Sequence, residues 1–460
     1  MAEAWTEPLD SGPLPEDGSR FDVIVVGGGP GGSAAASYAA LEGLRVLLLE
    51  KAVFPRDKTC GDAVGGKSLK HVAELGVKPM IEATPHFRVN GILFSSANGN
   101  EALIPLPEEE VENLEAGYSL PRLQFDYMMF KRARDLVLEN NGVVIQDFTV
   151  TEVNVSGEGE GDEQRITGIT GVIGGKRSGN DLMVFNAPLT VGASGYTCLV
   201  AKTITEVCYS EPMRDDVHYC GAYREYWTNV KGCEGSSGPI EIHFINEIIP
   251  GYFWIFPVGK NDDGQNIVNV GIGMVIDEMN KQTVKLRKLQ EWVIKEHPKF
   301  KLRFADSELV DGSCKGFQLP FGSPRKNPPS FQPRRSAMAG AICIGDAASL
   351  VDPFSGEGIG NALVTAKMAI KHFDAEKHGD GLPLSAAHSY MDDLWETLGP
   401  ELTNSFKLQG LVRKKRVMNW FIGKAGRKPE IQRALTDMIA SKEAQGQFHS
   451  KWWMFKTLVF

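Results

Sequence analysis

Residues 21–50 leave this chain little freedom of fold. Phe21-Asp-Val-Ile-Val-Val26 is a short β-branched run of the kind buried in a parallel sheet, and Gly27-Gly-Gly-Pro-Gly-Gly32 follows it directly. The small residues of 33–44 then suit a helix lying close on that sheet, and Arg45-Val-Leu-Leu-Leu-Glu50 is a second strand. Strand, glycine-rich turn, helix and strand make one βαβ unit. In Gly27-x-Gly29-x-x-Gly32 the first glycine permits a tight turn, the second lets backbone approach a pyrophosphate, and the third lets the helix pack closely. Glu50 closes the second strand, placed to accept hydrogen bonds from ribose hydroxyls. A glycine turn of purely structural use is the competing reading. The motif sits in the context that dinucleotide binding requires, and that binding is what it predicts.

A second cluster favours FAD over NAD. Gly345-Asp346-Ala-Ala follows the strand-like AICI, and Pro353-Phe-Ser-Gly356-Glu-Gly358-Ile359 lies just downstream. Asp346 is placed to hold a ribityl hydroxyl. The glycines before the next helix bring its N-terminal N–H groups against a flavin pyrimidine edge, where negative charge on the reduced ring is favoured by about 0.3–1 kcal/mol. A plain strand-to-helix turn is the alternative for Gly345-Asp346.

These elements are far apart in a chain of 460 residues, long enough for two or three lobes. Residues 122–140 suggest a helix, GVVIQ and FTVTEV strands, and 156–182 a glycine-rich loop or loose hairpin. From about 206 to 325 strand-like runs dominate, interrupted by a helix at 279–296, and the last 75 residues read as helical. The expected organisation is a flexible leader (1–20), a discontinuous cofactor domain (21–85, 117–205 and 330–380), an inserted strand-rich substrate or cap domain (86–116 and 206–329) and a helical C-terminal region (381–460).

Composition sets limits. Forty-nine basic against 58 acidic residues leave a net charge of −9, which gives no electrostatic footprint for nucleic acid. Seven cysteines without a C-x-x-C pair disfavour zinc, so no metal site is expected, and equally disfavour a secreted disulfide scaffold; one pairing, Cys314 with Cys343, stays open. The leader lacks the features of a signal or transit peptide, and no apolar run nears the ~20 residues that span a bilayer. The expectation is a cytoplasmic protein, with any membrane contact peripheral and at the inner face.

With GxGxxG, Gly345-Asp346 and Arg122 in PRLQFD, the chain resembles the flavoprotein superfamily that includes p-hydroxybenzoate hydroxylase. Lys58-Thr-Cys60-Gly61-Asp62-Ala63-Val64-Gly65, and Tyr252-x-Trp254-x-Phe256-Pro257 followed by Gly271-x-Gly273, narrow the resemblance to the geranylgeranyl reductase family. It implies an α/β fold with a discontinuous Rossmann-like FAD domain. It also implies a reductase saturating isolated double bonds of geranylgeranyl chains on archaeal-type ether phospholipid precursors, with electrons from an external donor, NAD(P)H or ferredoxin-like. Carried over residue by residue, it assigns FAD binding to Gly27, Gly29, Gly31, Gly32, Glu50, Lys51, Cys60, Gly61, Ala63, Arg122, Val150, Gly345, Asp346, Gly356, Gly358 and Ile359. Substrate binding falls to Tyr252, Trp254, Phe256, Pro257, Gly271 and Gly273, and catalysis to Cys60 and Tyr252. The chain departs from the family in having thirteen residues between Pro257 and Gly271 instead of seven or eight, which suggests a longer hairpin loop, and in carrying Ser194 where an Asp is common.

Physically, Tyr252, Trp254 and Phe256 alternate and so share one face of a strand, either as a wall for a branched isoprenoid chain or as ordinary core. Cys60 is either a buried filler or a group beside the flavin. The proton that alkene reduction needs has three candidate sources: Cys60, Tyr252 or bound water. His218 and His243 read as structural. Residues 407–428 hold eight Lys/Arg and no Asp or Glu among apolar and aromatic residues, and the chain ends KWWMFKTLVF. That pattern fits an anionic membrane contact, a solvated face or an oligomer contact. Two rival functions use the same scaffold. A monooxygenase or halogenase is one, though the W-x-W-x-I-P of halogenases is absent; a non-redox, lycopene-cyclase-like enzyme is the other.

Overall fold

The computed structural model describes residue 9 and residues 12–175, 178–261, 263–325 and 331–432. Val23–Val26 (β1) and Val46–Leu49 (β2) are buried at every residue, as strands without polar alternation require. They pair in parallel inside a six-stranded sheet of order Ala337–Met338, Ala341–Cys343, Leu189–Gly192, β1, β2, Val143–Ile145. Three distant parts of the chain thus build one sheet. Helix α1, Pro30–Leu41, is made almost wholly of small residues, so it nestles between the helices Arg122–Glu139 and Ile359–Lys371.

The second sheet has ten strands. Tyr219–Thr228, Asn266–Val275, Gly251–Lys260 and Ser237–His243 run antiparallel in that order, and the last pairs in parallel with Phe87–Ser95. Its outer face packs on Leu286–Lys295 around Phe253, Ile272 and Phe300. Among the described residues the C-terminal region holds a long helix, Leu384–Val412, and a shorter one, Lys415–Ala425.

Several expectations change. Within 156–182 lies a nine-residue strand, Arg165–Ile173, paired with Phe148–Ser156 and Met183–Asn186. Its glycines serve close packing: a Cβ on Gly168 would lie 2.0 Å from the Phe185 carbonyl, and one on Gly171 2.3 Å from the Phe148 ring. The helix at 279–296 is two, Ile276–Gln282 and Leu286–Lys295, parted at Thr283, whose φ is +55°. Ala63–Gly65 and Gly117–Ser119, assigned above to the cofactor domain, pair with each other in the larger sheet, so the Lys58–Gly65 motif runs from one sheet into the other. The end of the leader is tied down, because Val184 donates to Asp17 and accepts from Gly18. The extra residues before Gly271 lengthen the strands of the hairpin more than its loop, since Gly259 still pairs with Ile267 and Lys260 with Asn266. The seven cysteines are free thiols: Cys343 is buried beside Cys198, while Cys314 is exposed elsewhere. The terminal KWWMFKTLVF lies outside the described residues.

Candidate functional site

A cavity of about 1500 Å³ is lined from both sheets and from the C-terminal helices. One end is built by the βαβ unit. Gly27 has φ +111°, and a Cβ on Gly32 would fall 1.7 Å from the Gly27 carbonyl, so the turn excludes side chains at both. Glu50 is locked in place, accepting from the N–H of Gly28 at 2.7 Å and of Ala52 at 3.0 Å. Beside it Asp126, fully buried, is gripped by Arg122 (2.5 and 2.9 Å) and Arg56 (2.8 Å). Burial pushes the Asp126 carboxyl up, but the two guanidiniums outweigh it and hold it below the usual range. Lys58 lies 3.7 Å from Asp346, and its burial lowers the ammonium pKa. A glycine cradle lined by Arg56, Lys58 and Arg122, with Glu50 at its edge, fits the pyrophosphate and ribose of FAD.

Further along, Gly345 (φ +54°) and Asp346 line the wall, as do Val150 and Lys51. The loop ahead of the helix Ile359–Lys371 is fixed by Asp352, which accepts from Phe354 N, Ser355 N and the Ser355 hydroxyl at 2.7–2.9 Å. Gly356, Gly358 and Ile359, which follow Asp352, line the cavity at the start of that helix.

Tyr252, Trp254 and Phe256 form one continuous wall, with ring centroids 6.1 and 6.4 Å apart. Both ends of this wall meet the cofactor side. Tyr252 donates to the Ser355 carbonyl at 2.5 Å, and a Cβ on Gly356 would lie 2.8 Å from the phenol oxygen. Phe256 closes over Gly61, where a Cβ would come within 2.8 Å of its ring. Cys60 faces the same space; burial raises its thiol pKa, Arg122 pulls the other way, and burial wins. Beyond the wall the lining is mostly apolar, from Val89, Ile92 and Ile104 to Met418, Phe421 and Ile422, with Glu401, Asn404, Ser405, Lys407 and Gln409 as its polar members along the helix Leu384–Val412.

The structure brings to this cavity Gly27, Gly29, Gly31, Glu50, Lys51, Cys60, Gly61, Ala63, Arg122, Val150, Gly345, Asp346, Gly356, Gly358 and Ile359, together with Tyr252, Trp254, Phe256 and Gly273. Three expected residues do not line it. Gly32 is the floor of the turn, Pro257 is buried in its strand, and Gly271 lies under the Trp254 indole, where a Cβ would be 2.0 Å from the ring. His218 and His243 are outside it, bonded to Ser323 (2.6 Å) and to Ser95 (2.6 Å) with Glu241 (2.9 Å). Among the described residues no cluster of His, Cys, Asp and Glu could hold a metal ion.

Sequence reasoning missed the polar support behind the wall. Asn269, fully buried, accepts from Trp254 Nε1 (2.8 Å) and donates to the Cys60 carbonyl (2.7 Å) and to Asp62 (2.8 Å). Asp62 has φ +68° and also accepts from Tyr226 at 2.5 Å, and burial pushes its carboxyl up to about 6. Arg224 lies over the Tyr226 ring at 4.1 Å and is held by Asp57 at 2.9 Å. The available signal was an asparagine inside the otherwise apolar IVNVGIGMVI.

Comparison with known proteins agrees with this geometry. The model of FAD dependent oxidoreductases matches residues 22–215 and that of the geranylgeranyl reductase catalytic domain residues 218–307. A menaquinone reductase of Mycolicibacterium smegmatis is 27% identical over 358 residues, 76% of each chain. A digeranylgeranylglycerophospholipid reductase of Methanocella arvoryzae is 26% identical over 397 residues, 86% of this chain and 88% of the relative. Among solved structures, a geranylgeranyl bacteriochlorophyll reductase-like protein of Thermoplasma acidophilum superposes with a TM-score of 0.69 at 19% identity, covering 96% of this chain and all of its own. A flavin-dependent brominase shares the fold at a TM-score of 0.67 and 18% identity, over 92% of this chain and 94% of its own.

Proposed function

For this chain, an FAD-dependent oxidoreductase of the geranylgeranyl reductase type acting on C=C bonds, we propose that the substrate is a polyprenyl chain on a lipid head group. An archaeal-type geranylgeranyl ether phospholipid is the favoured form. The observation that carries this reading is the aromatic strand, which touches the flavin loop at Gly356 and the Cys60–Gly61 segment at its other end, and from which the cavity continues into an apolar channel. At about 1500 Å³ the space exceeds the ~300–1,000 Å³ usual for one small ligand, leaving room for a second.

When bound and reduced, FAD supplies a hydride equivalent to one alkene carbon. The chain's own residues have three tasks. The aromatic wall excludes water and offers π faces to positive charge building at the more substituted carbon. Trp254 is held at a fixed angle by Asn269, so its ring cannot swing away. A proton has to reach the neighbouring carbon, and the Cys60 thiol, kept protonated by burial, is our candidate donor. The Tyr252 hydrogen is committed to Ser355, so Tyr252 serves as the hinge of the wall rather than as the acid. Hydride and proton together add two hydrogens per double bond. The electron donor is NAD(P)H or a ferredoxin-like protein. We place the protein peripherally at the inner face of the cell membrane; among the described residues no helix is long and apolar enough to cross a membrane.

A second head group is favoured by the relatives named menaquinone reductase, which match as well as the phospholipid enzymes do. Separate anaerobic incubations of dithionite-reduced protein with a geranylgeranylated phospholipid and with menaquinone distinguish the two. We expect product masses rising by two per double bond with the phospholipid, and no gain in the menaquinone once its ring, which dithionite itself reduces to the quinol, has been reoxidised in air before weighing. The reverse pattern overturns the head group. In a parallel incubation in air with NAD(P)H, substrate-coupled oxygen consumption without any mass gain of two overturns the reductase reading in favour of a monooxygenase.

A further inference from the structure

We infer that the helix Lys415–Ala425 and the turn before it dock this protein on an anionic lipid bilayer, at the place where the apolar channel reaches the surface. The inference rests on the channel being a prenyl-chain site and adds where such a chain enters.

The helix has two distinct faces. Met418, Ile422 and Ala425 are buried, in one cluster with Ala102, Ile104 and Phe244, and they line the channel. Val417 and Trp420 are 39% and 43% exposed, and Lys424 and Arg427 continue their row at helical spacing. Trp420 also lines the cavity, and an indole that is both half-exposed and cavity-lining marks the mouth.

Charge selects the partner. Residues 407–428 carry eight Lys/Arg and no acidic residue in a chain of net charge −9. Arg413 pairs with Glu278 and Lys424 lies 4.5 Å over the Trp420 ring, while Lys414, Lys415 and Arg416 are exposed and carry the argument. Basic residues around an outward tryptophan beside an apolar face are what an interfacial helix needs, with the rings at headgroup depth and the cations against anionic lipid.

The mounting is firm. Asn100 donates to the Asn419 carbonyl at 2.9 Å, and Gly423 and Gly426 let the helix press onto the hairpin of Phe87–Ser95 and Glu101–Pro105, since a Cβ on Gly426 would lie 2.1 Å from the Glu101 carbonyl. The outer face is therefore held outward. A polyprenyl lipid resides in a bilayer, so a channel mouth ringed by these groups meets its substrate there.

Co-sedimentation of the FAD-loaded protein with vesicles tests this, using phosphatidylcholine alone and phosphatidylcholine mixed with phosphatidylglycerol. We expect binding to the anionic vesicles roughly tenfold or more tighter, lost on adding salt. Lys415→Glu/Arg416→Glu should abolish that preference while leaving turnover of a detergent-solubilised prenyl substrate unchanged. Trp420→Ala should weaken binding while keeping its salt dependence. Equal binding to both vesicles, no binding to either, or indifference to the charge reversal overturns the proposal. So does a change from dimer to monomer in the charge-reversed protein without vesicle binding, which would make the face a contact between copies. Vesicle binding is read without turnover. Failure to bind, with prenyl reduction intact in detergent, therefore rejects docking alone; binding without reduction rejects the catalytic reading instead.

Discussion

Asn269 joins the two motif regions, bonding the Cys60 carbonyl 209 residues away and the Trp254 indole on the next strand. Asn269→Leu leaves the indole N–H, a carbonyl and the Asp62 carboxyl each short of a partner in the interior. Such losses cost about 1–3 kcal/mol per group, so the urea midpoint should fall clearly, and a midpoint within error of wild type would contradict the network. Asp62 makes a pH prediction. Its folded-state value of about 6 lies above the ordinary 3.8, so the folded chain binds this proton more tightly than the unfolded chain. The stabilising contribution is complete below about pH 4 and is lost as the pH rises to about 6, by roughly 3 kcal/mol at most. Asp62→Asn, which keeps the acceptor and suits the positive φ, should flatten this loss of stability between about pH 4 and 6, and an unchanged slope would contradict the assignment. At this scale Cys60, Tyr252 and Trp254 were legible as members of motifs. Asn269, Tyr226 and Arg224 were not, because their partners are set by cross-strand register and by segments distant in the chain.

Elements were more legible where a period or a turn declared them. The βαβ unit and the aromatic strand follow from glycine spacing and period-2 alternation, whereas Arg165–Ile173 was hidden because its glycines read as turn formers when they serve close packing. Two substitutions separate the roles of glycine. Gly32→Val drives a side chain into the Gly27 carbonyl, and the purified protein should lose its flavin absorbance; full flavin content would contradict the cradle. Gly271→Ala pushes on the Trp254 ring, the near atom being 2.0 Å from the new Cβ. It should keep FAD yet lower turnover of a long prenyl substrate by roughly ten- to hundredfold, since small misplacements at a reacting centre are that costly. Unaltered turnover would show that the wall does not position substrate.

At the scale of the whole molecule the site belongs to neither sheet. The six-stranded sheet supplies the cradle, the ten-stranded sheet the aromatic wall, and the C-terminal helices the end of the channel. Pattern in the sequence showed a discontinuous cofactor domain with an insertion, but where one part hands over to the next depends on pairings such as Ala63–Gly65 with Gly117–Ser119, which no local signal marks. The channel's closure by Lys415–Ala425 was equally illegible, since a basic aromatic helix reads the same whether it covers a cavity or only water. On our proposal, flavin and prenyl chain share this one space. The most direct measurement of this is an anaerobic titration of the reduced protein with a geranylgeranylated lipid, following flavin absorbance and lipid mass together. One flavin should be reoxidised for each double bond lost and each two-unit gain in mass. Flavin that stays reduced over an unchanged lipid until air is admitted would contradict it.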